Sequence, residues 1–398
     1  MRQKMVKKMT KLEQLIEQLC PDGVEYRNIG SFATCTPGAT PSTSKKKYWE
    51  NGTIPWMSSG EVNLGEVVQT EKHITQLGYD NSSTKMIPTD TVVIALAGQG
   101  KTRGKVAITR IPLCTNQSLC AIITDTTVMS KYLLHYLRSQ YLKLRDISSG
   151  DGTRGGLNVK MIKAYQIPVP PIEVQAEIVR FLDKFTELTT ELTTELANRK
   201  KQYEYYSRQL FTAAKNTQLT TLEQISLNCD SQRKPVTSNK RTSGIYPYYG
   251  ASGIVDYVDA YIFDGDYLLI SEDGANLLAR NTPIAFSVSG KTWVNNHAHV
   301  LKFDNYHTRR YVEIYLNSID LSPYISGAAQ PKLNQKNLNK IEIPLPPIEE
   351  QRRIVDILDR FDKLCNDISE GLPSEIEARQ KQYEYYRDKL LTFKERSV

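Results

Sequence analysis

The hydrophobic positions of this chain follow a helical period in several stretches. Apolar residues between Leu12 and Leu19 predict a short helix. A much longer pattern starts after Pro171 and continues to Ala214 without a proline or a glycine, with apolar residues every three, four or seven positions. At 1.5 Å per residue, this pattern predicts a helical rod of about 60 Å.

A second long pattern runs from Ile354 to Leu390. Gly371 and Pro373 interrupt it, which predicts a break or kink there. Because both long patterns carry matching apolar seams, the two helices are predicted to pair as an antiparallel coiled coil with approximate two-fold symmetry. The alternative is that each helix packs only on its own domain. A seam of forty residues exceeds what one face of a small domain can cover, so the pairing is favoured.

Short β-rich runs, separated by Gly, Ser, Asn and Pro, fill the regions between the helical patterns. The runs are residues 91–97, 105–109 and 120–124 in the first region, and 260–263, 267–271, 283–288 and 298–303 in the second. One helix is predicted in each region, over about 128–139 and around Tyr311–Leu316. The predicted fold class is therefore α+β, with two mixed, mostly β domains alternating with two long helices.

Two segments of the chain occur twice. Ile167–Lys184 (IPVPPIEVQAEIVRFLDK) returns 176 positions later as Ile343–Arg360 (IPLPPIEEQRRIVDILDR), and KQYEYY at Lys201–Tyr206 returns 180 positions later at Lys381–Tyr386. So long a period indicates a repeated domain. The predicted boundaries are 1–25 for an N-terminal helical segment, 26–171 and 217–347 for two domains, 172–216 for a central helix and 348–398 for a C-terminal helix.

Composition adds modest constraints. Over 398 residues, 51 Lys and Arg oppose 44 Asp and Glu, and the net charge of +7 suggests an anionic partner. We find no apolar run near the roughly 18 residues of a membrane span, and the basic start of the chain lacks the apolar stretch of a secretion signal. The six cysteines form no CxxC pair. Reduced thiols in a cytoplasmic protein are expected.

The repeated proline turn resembles a motif of the specificity subunit of type I restriction–modification systems. In that family, two target-recognition domains alternate with two conserved helical regions, and each domain ends in an I-P-x-P-P-x-x-E-Q turn into a helix. Ile167–Pro171 with Gln175, and Ile343–Pro347 with Gln351, match this turn. Val174 replaces the usual Glu in the first copy.

The KQYEYY copies and the segment Tyr248–Gly274 also resemble this family, so that the resemblance covers nearly the whole chain. A finer similarity lies at Phe185–Leu196, which reads FTEL-TTEL-TTEL. In one branch of the family such repeats vary in number and set the gap between two half-sites. Four residues add about 6 Å of helix, comparable to one or two duplex steps of about 3.4 Å.

The resemblance implies a non-catalytic, cofactor-free subunit that reads an asymmetric, bipartite target in double-stranded DNA, one domain per half-site. It also implies two methyltransferase subunits docked on the helices and two restriction subunits that translocate with ATP, away from any membrane. Tyr203, Tyr205, Tyr383 and Tyr385 are the predicted docking residues, since tyrosines are enriched at interfaces. The alternative is that these tyrosines pack against each other or against the domains.

DNA binding requires Lys and Arg for phosphates and polar loop residues for base edges. The candidates in the first domain are Ser58, Ser59, Gln99, Lys101, Arg103, Lys105, Asn116, Gln117 and Arg154. Those in the second are Arg233, Lys234, Lys240, Arg241, Asn276, Arg280, Lys291, Asn295, Asn296 and His297. Each alone could be a solvated turn, and the argument rests on the presence of basic loops in both halves.

Enzymatic interpretations are weaker. Ala95–Thr102 fits a relaxed P-loop pattern, which requires a helix directly after it. Residues 105–109 predict a strand instead, so a hairpin is expected and no nucleotide site. The proline turns lack the polar and aromatic neighbours of an amino-methyltransferase motif, and His297 and His299 have no ligand cluster nearby that would favour a metal. Two other classes stay open: a DNA-binding scaffold of another modification or defence system, and an ATP-dependent enzyme using the Ala95–Thr102 loop.

Overall fold

The protein was analysed as a computed structural model that describes residues 11–98, 102–148, 156–327, 330–367 and 369–396. The chain divides into two units. Unit 1 comprises residues 1–191 and 376–398, and unit 2 comprises residues 192–375. Each unit holds one β-rich domain together with parts of both long helical regions.

Unit 1 contains short helices and strands ahead of the long helix. The helices are α1 (Lys11–Leu19), α2 (Ile29–Phe32), α3 (Gln76–Asp80), α4 (Ser130–Ser139), α5 (Tyr141–Ile147) and α6 (Val159–Ala164). The strands are β1 (Glu25–Asn28), β2 (Ala33–Pro37), β3 (Ile54–Met57), β4 (Glu66–Val67), β5 (Lys72–Ile74), β6 (Val92–Ala95), β7 (Val106–Thr109), β8 (Cys114–Thr115), β9 (Leu119–Thr124) and β10 (Gln166–Val169).

The core of unit 1 is a mixed sheet in the order β2-β9-β6-β7-β4. Strands β6 and β7 are buried along their whole length, and their side chains alternate between two apolar clusters. One cluster joins Ile94 and Ile108 to Tyr132 and Leu133 of α4, and the other lies on the opposite face of the sheet. A smaller sheet, β5-β3-β8, carries the loops beside it, and β1 pairs antiparallel with β10.

The long helix α7 (Ile172–Ala213) begins in unit 1 and ends in unit 2. Its length follows from the absence of any helix breaker between Pro171 and Lys215. The predicted helix over this range is confirmed.

Unit 2 repeats the plan with longer strands. Its strands are β11 (Gln218–Thr221), β12 (Leu227–Asn228), β13 (Ser243–Gly250), β14 (Gly253–Val258), β15 (Phe263–Ser271), β16 (Ala285–Val294), β17 (Ala298–Lys302) and β18 (Glu342–Leu345). Its helices are α8 (Leu222–Ile225), α9 (Asn276–Ala279), α10 (Tyr306–Ser318), α11 (Gln335–Asn339) and α12 (Ile348–Asn366), and α13 (Leu372–Leu390) runs from this unit into unit 1.

The main sheet of unit 2 has the order β12-β17-β15-β16-β13-β14, and α10 packs on its apolar face through Tyr311 and Val312. Strand β11 pairs antiparallel with β18, as β1 pairs with β10 in unit 1. The α+β class with a duplicated domain is therefore confirmed.

The same glutamine fixes the proline turn in both units. In unit 1, Gln175 is fully buried, and its amide nitrogen donates to the carbonyls of Pro170 (2.8 Å) and Thr127 (2.9 Å). Its amide oxygen accepts from the backbone N–H of Met129 at 2.9 Å. In unit 2, Gln351 donates to the Pro346 carbonyl at 2.7 Å and accepts from a hydroxyl of α10. This repeated contact joins each proline turn to the domain it follows, and it explains the glutamine of the repeated motif.

Tyrosine hydroxyls reinforce these turns. Tyr132 donates to the carbonyl of Pro168 at 2.9 Å, and Tyr311 donates to that of Pro344 at 2.6 Å. Val174, which departs from the family pattern, is fully buried in the unit 1 core. The equivalent residue of the second copy, Glu350, is half-buried and lies 2.7 Å from Arg353, so Val174 makes an apolar contact where the other copy has an ion pair.

The two KQYEYY copies occupy equivalent places. In unit 1, the ring centroid of Tyr386 in α13 lies 5.3 Å from that of Phe181 and 5.7 Å from that of Phe185, and both phenylalanines belong to α7. In unit 2, Tyr206 of α7 lies 6.1 Å from Phe361 of α12. Each unit thus pairs the helix of its own proline turn with the KQYEYY segment of the other helical region, so the predicted helix pairing is confirmed.

The second helical region is broken where predicted. Helix α12 ends at Asn366 and α13 begins at Leu372. A Cβ atom at Gly371 would lie 2.6 Å from the carbonyl oxygen of Asp367 and 2.7 Å from that of Lys363, so only glycine fits this turn without movement of the backbone. Ile368, an apolar position of the predicted pattern from Ile354 to Leu390, lies outside the described residues.

One strand prediction is wrong. The pattern predicts a strand over residues 260–263, but residues 260–262 form the connection between β14 and β15, and only Phe263 is in a strand, as the first residue of β15. The ring centroid of Tyr261 lies 5.1 Å from that of Tyr246. This tyrosine, a residue type common in strands, makes a side-chain contact from a loop here. Strand β15 begins earlier than predicted because Asp264, Gly265 and Asp266 are paired into the ladder despite their poor strand propensity.

Candidate nucleic-acid interface

Two of the unit 1 candidates form a helix cap. The backbone N–H and hydroxyl of Ser58 donate to the carboxylate of Glu61 at 2.6 and 2.8 Å, and Ser59 begins the short 3₁₀ helix that follows. Glu61 also accepts from the backbone N–H of Glu71 at 3.0 Å. These contacts fix the local backbone and give Ser58 an internal partner.

The loop between β6 and β7 is a hairpin connection, as expected. Thr102–Gly104 form a turn, and the next regular element is the antiparallel strand β7. Lys105 donates to the side-chain oxygen of Asn63 at 2.7 Å, and Arg103 is half-buried. The candidates Gln99, Lys101 and Arg154 lie outside the described residues. No helix follows the P-loop-like segment within the described part of this connection, so the geometry of a phosphate-binding helix N-terminus is missing there.

Asn116 and Gln117 lie in a tight loop before β9. The Asn116 side-chain oxygen accepts from the Ser118 N–H at 3.0 Å, and Gln117 is exposed and accepts from the hydroxyl of Thr40. A Cβ at Gly38 would lie 2.1 Å from the carbonyl oxygen of Asn116, so the segment after β2 passes directly over this loop. The structure therefore brings Gln117 beside residues 38–40, which are distant in sequence.

Three consecutive lysines follow in that same segment, and the sequence analysis missed them. Lys45, Lys46 and Lys47 are all exposed. Lys46 lies 4.0 Å from Glu50, and Lys45 lies 3.2 Å from the hydroxyl of Tyr48. A run of three positive charges beside polar loops was the signal that could have identified them.

In unit 2, Arg233 belongs to a buried charge network. Its guanidinium contacts Asp230 at 3.3 Å and Glu272 at 2.6 Å, and it donates to the Ala298 carbonyl at 2.8 Å. His299 is 1% exposed and places one ring nitrogen 2.6 Å from Asp230 and the other 2.7 Å from the Leu333 carbonyl. Arg233 therefore joins several loops of this end of unit 2 internally.

The two carboxyl groups of this network, Asp230 and Glu272, have lowered pKa values. Burial by itself would raise the pKa of Asp230, but the hydrogen bond and charge of His299, the backbone N–H of Val300 and the charge of Arg233 outweigh it and lower the pKa. The pKa of Glu272 is also lowered. Burial by itself would raise it, but the hydrogen bond from Arg233 and the neighbouring positive charges outweigh burial. Both ring nitrogens of His299 face oxygen atoms, those of Asp230 and of the Leu333 carbonyl.

Other candidates of unit 2 also have internal partners. The Asn276 side chain exchanges hydrogen bonds with the backbone of Thr282 at 3.0 Å each way, and Arg280 donates to the carbonyls that end α10 at 3.4 Å. Burial lowers the pKa of Arg280. Arg241 lies 3.0 Å from Asp256 and 4.3 Å above the ring of Tyr248. These contacts hold loops together.

The accessible candidates of unit 2 form a smaller set. Lys234, Lys240, Lys291, Asn296 and His297 are exposed, whereas Asn295 is buried and accepts from the His297 N–H at 2.8 Å. The ammonium of Lys291 lies 4.7 Å above the Tyr261 ring, and the hydrogen bond and charge of that tyrosine raise the pKa of Lys291. His297 lies 2.8 Å from Asp273. These residues supply the charge and the hydrogen-bonding groups that phosphates and base edges require.

The four candidate docking tyrosines divide into two pairs. Tyr205 and Tyr385 are 60% and 62% exposed. Tyr383 is buried, and its hydroxyl lies 3.0 Å from His135 of α4, while Tyr203 packs on the unit 2 core and burial raises its pKa to about 12. The first tyrosine of each KQYEYY segment therefore packs on a domain, and the second is available to a partner.

Neither a metal site nor a membrane helix is seen in the described ranges. No group of three or more His, Cys, Asp or Glu residues could hold a metal ion there. No helix among those residues is long and apolar enough to cross a membrane. All six cysteines are free and buried.

The fold and these loops define a class of protein: a duplicated α+β chain whose two domains end in equivalent proline turns and carry exposed basic loops. The chain matches the type I restriction modification DNA specificity domain twice, over residues 21–201 and 215–378. It therefore belongs to the family of type I restriction–modification specificity subunits, which are DNA-recognition components without catalytic activity of their own.

Individual relatives agree with the family match. The chain is 41% identical over 178 residues to a putative type I restriction enzyme specificity subunit of Haemophilus influenzae, covering 44% of this chain and 46% of that protein. It is 28% identical to the EcoprrI type I restriction enzyme specificity subunit of Escherichia coli, covering 91% and 93% of the two chains. The crystal structure of a type I restriction–modification S subunit from M. genitalium has a TM-score of 0.59 at 17% identity, covering 93% and 96%, and this similarity shows the fold alone.

Proposed function

We propose that this chain reads an asymmetric, bipartite DNA sequence for a type I restriction–modification complex, one half-site per unit. The observation that carries the proposal is the duplication of a complete unit. Each unit has its own sheet, proline turn, buried glutamine and exposed basic loop, while the loop residues themselves differ. Two similar frames with different loops suit the reading of two different half-sites. The domain boundaries predicted above are part of this proposal.

The partners proposed are two methyltransferase subunits on the helical regions and two restriction subunits that use ATP. Tyr205 and Tyr385 support docking on the helices, because each exposes a large aromatic ring on the surface of its helix. The complex would act in the cytoplasm, where chromosomal and incoming DNA are both accessible. Chemistry would belong to the partner subunits.

The test is base-modification sequencing of the host genome with and without this gene. We expect methyladenine to disappear from a single motif, two short half-sites separated by a fixed gap, when the gene is deleted. A methyltransferase subunit should also co-purify with the chain. If the modification pattern is unchanged although that subunit co-purifies and is active in vitro, the proposal is wrong. Co-purification of a different DNA-modifying machine would favour the alternative of a DNA-binding scaffold.

A further inference from the structure

In both units a basic loop follows the first strand of the main sheet, directly in unit 1 and after a short 3₁₀ helix in unit 2. In unit 1, residues 38–50 follow β2 and expose Lys45, Lys46 and Lys47. In unit 2, residues 234–241 begin shortly after β12 and expose Lys234 and Lys240. The two loops share no sequence motif, so their common position was not visible before the structure was known.

Aromatic side chains hold the loop of unit 1. The indole N–H of Trp56 donates to the Ala39 carbonyl at 3.0 Å, and that of Trp49 donates to the Ser42 carbonyl at 3.2 Å. The two indole rings are themselves in edge-to-face contact at 4.9 Å. On the far side, the hydroxyl of Thr75 donates to the Lys47 carbonyl at 2.9 Å. The backbone on both sides of the three lysines is therefore fixed.

Buried and apolar contacts complete this support. Tyr48, the residue after the lysines, is buried, and its carbonyl accepts from the Thr75 N–H at 2.9 Å. A Cβ at Gly78 would lie 2.7 Å from that same carbonyl, so helix α3 begins in direct contact with the loop. An ordinary solvent-exposed turn does not need such contacts. They distinguish this lysine-containing loop from a turn whose lysines only interact with water.

The loop of unit 2 is held by the same kind of contacts. The indole N–H of Trp293 donates to the Lys234 carbonyl at 2.7 Å, and the backbone N–H of Lys234 donates to the Val294 carbonyl at 3.3 Å. The Tyr248 hydroxyl accepts from the N–H of Val236 at 2.9 Å. Arg241 donates to the Val236 carbonyl at 2.9 Å, so this end of the loop is also fixed.

The charges of these loops are only partly neutralised. In unit 1 the segment 38–50 holds three lysines and one glutamate, and the Lys46–Glu50 pair at 4.0 Å is highly exposed. Such a pair contributes little and exchanges readily for another anion. In unit 2 it is Arg241, not the lysines, that contacts Asp256. A rigid backbone that presents lysines to water loses little further entropy when they bind phosphates.

We propose that these two aromatic-supported loops are the phosphate-binding ridges of the two units. Lys45, Lys46 and Lys47 in unit 1, and Lys234 and Lys240 in unit 2, contact the DNA backbone irrespective of sequence. Gln117, held beside the first ridge by Thr40, is then placed to meet a base edge. This inference rests on the proposed DNA-reading function and adds the residues that supply its non-specific affinity.

The test is the salt dependence of DNA binding by the full-length chain, alone or with its methyltransferase subunits. Binding to a fluorescent duplex of mixed sequence is measured by anisotropy over a series of salt concentrations. Each phosphate neutralised contributes about 0.9 to the slope of log affinity against log salt. Changing Lys45, Lys46 and Lys47 to Gln should make the negative slope shallower by up to about 2.7. Changing Lys234 and Lys240 to Gln should make it shallower by up to about 1.8.

Matched controls separate charge from folding. Changing Lys184, Lys200 and Lys201, exposed lysines of α7, to Gln removes the same charge and should leave the slope unchanged. Changing the three ridge lysines to Arg keeps the charge and should retain the slope, whatever the melting temperature of the Gln variant. If the wild-type chain binds duplex DNA and the ridge and control variants have equal slopes, the proposal of phosphate-binding ridges is wrong. The proposed DNA-reading function would not be affected by that result. Absence of duplex binding by the wild-type chain and its complex would overturn the DNA-reading function as well.

Discussion

Gln175 and Gln351 show how one buried side chain can join a domain to a helix. The amide of Gln175, which is itself fully buried, satisfies two carbonyls and one N–H, and the bond to the Pro170 carbonyl is buried with it. Replacing it with alanine removes all three bonds and leaves the Pro170 carbonyl without this partner, at a cost of about 1–3 kcal/mol for such a buried loss. We expect Gln175→Ala to lower the free energy of unfolding by about 3 kcal/mol, measured by urea denaturation. Gln209→Ala, an exposed change on the same helix, is the control, and an equal effect of both would contradict this role.

The buried Asp230–His299 pair makes unit 2 sensitive to acid. The pKa of Asp230 is lower in the folded protein than in the unfolded chain, so the stabilisation is complete above the ordinary carboxyl pKa of about 3.9. It is lost as the pH falls below that value through the lowered pKa. We expect Asp230→Asn to cost about 3–5 kcal/mol at neutral pH, because it removes a buried carboxylate that both Arg233 and His299 contact.

The measurement is urea denaturation of the variant and the wild type between neutral pH and about pH 3, a range that spans the carboxyl pKa. The difference between the two proteins should shrink as the pH falls. Asp259→Asn changes an exposed aspartate of the same unit and serves as the control. A difference that stays constant down to the lowest pH would show that the ion pair is not its cause.

At the scale of the element, the two KQYEYY segments assign different tasks to neighbouring tyrosines. Tyr383 is buried against His135, so Tyr383→Ala should destabilise the chain by about 3 kcal/mol through loss of packing and of a hydrogen bond. Tyr205→Ala and Tyr385→Ala remove exposed rings, should leave the melting temperature unchanged and should weaken methyltransferase binding by about tenfold, as an interface aromatic does. Calorimetric titration with the purified methyltransferase subunit measures this. Unchanged affinity in both exposed variants would place the docking surface elsewhere.

The TTEL repeat is the second feature at this scale. It lies within the continuous helix α7 and contains the boundary at Glu191 and Leu192 where unit 1 ends and unit 2 begins. Insertion of one more TTEL after Leu196 adds about 6 Å of helix. We expect the gap between the methylated half-sites to widen by one or two base pairs, with both half-sites unchanged. Replacing Thr189 and Thr190 by alanine keeps the length and should keep the gap, and a widened gap in that variant would exclude helix length as the cause.

For the whole molecule, the independence of the two sheets predicts modular recognition. Exchange of residues 30–166 for those of a relative replaces the domain of unit 1 but keeps both proline turns and the contacts of Tyr386 with Phe181 and Phe185. We expect the methylated motif to change in one half and to stay the same in the other, measured by base-modification sequencing. A change in both halves would contradict one half-site per unit.

Much of the architecture could be predicted from local patterns. The continuous helix from Ile172 to Ala213, the break near Gly371 and the β6–β7 hairpin follow from spacing and from the positions of proline and glycine. Strand β15 was only partly predicted. Asp264, Gly265 and Asp266 follow its first residue, and they are paired because β16 lies beside them, which local propensity does not predict.

The candidate interface was harder to predict, because a basic side chain in a loop can face either DNA or a buried acid. Arg233 and Lys234 are adjacent in sequence, yet the first is held by Asp230 and Glu272 and the second is exposed. Asp230 lies three residues before Arg233 in the chain, but Glu272 follows strand β15, and local sequence does not show that it reaches Arg233.

The sequence by itself determined the duplication, the fold class and the family, because periodicity and repeated motifs are local properties of the chain. Only the tertiary structure decided which charges are free, which tyrosine of each KQYEYY segment is buried, and that two unlike basic loops occupy the same place after the first strand. Those outcomes depend on contacts between residues far apart in sequence. Trp56 with Ala39 and Trp293 with Lys234 are such contacts, and no local pattern contains them.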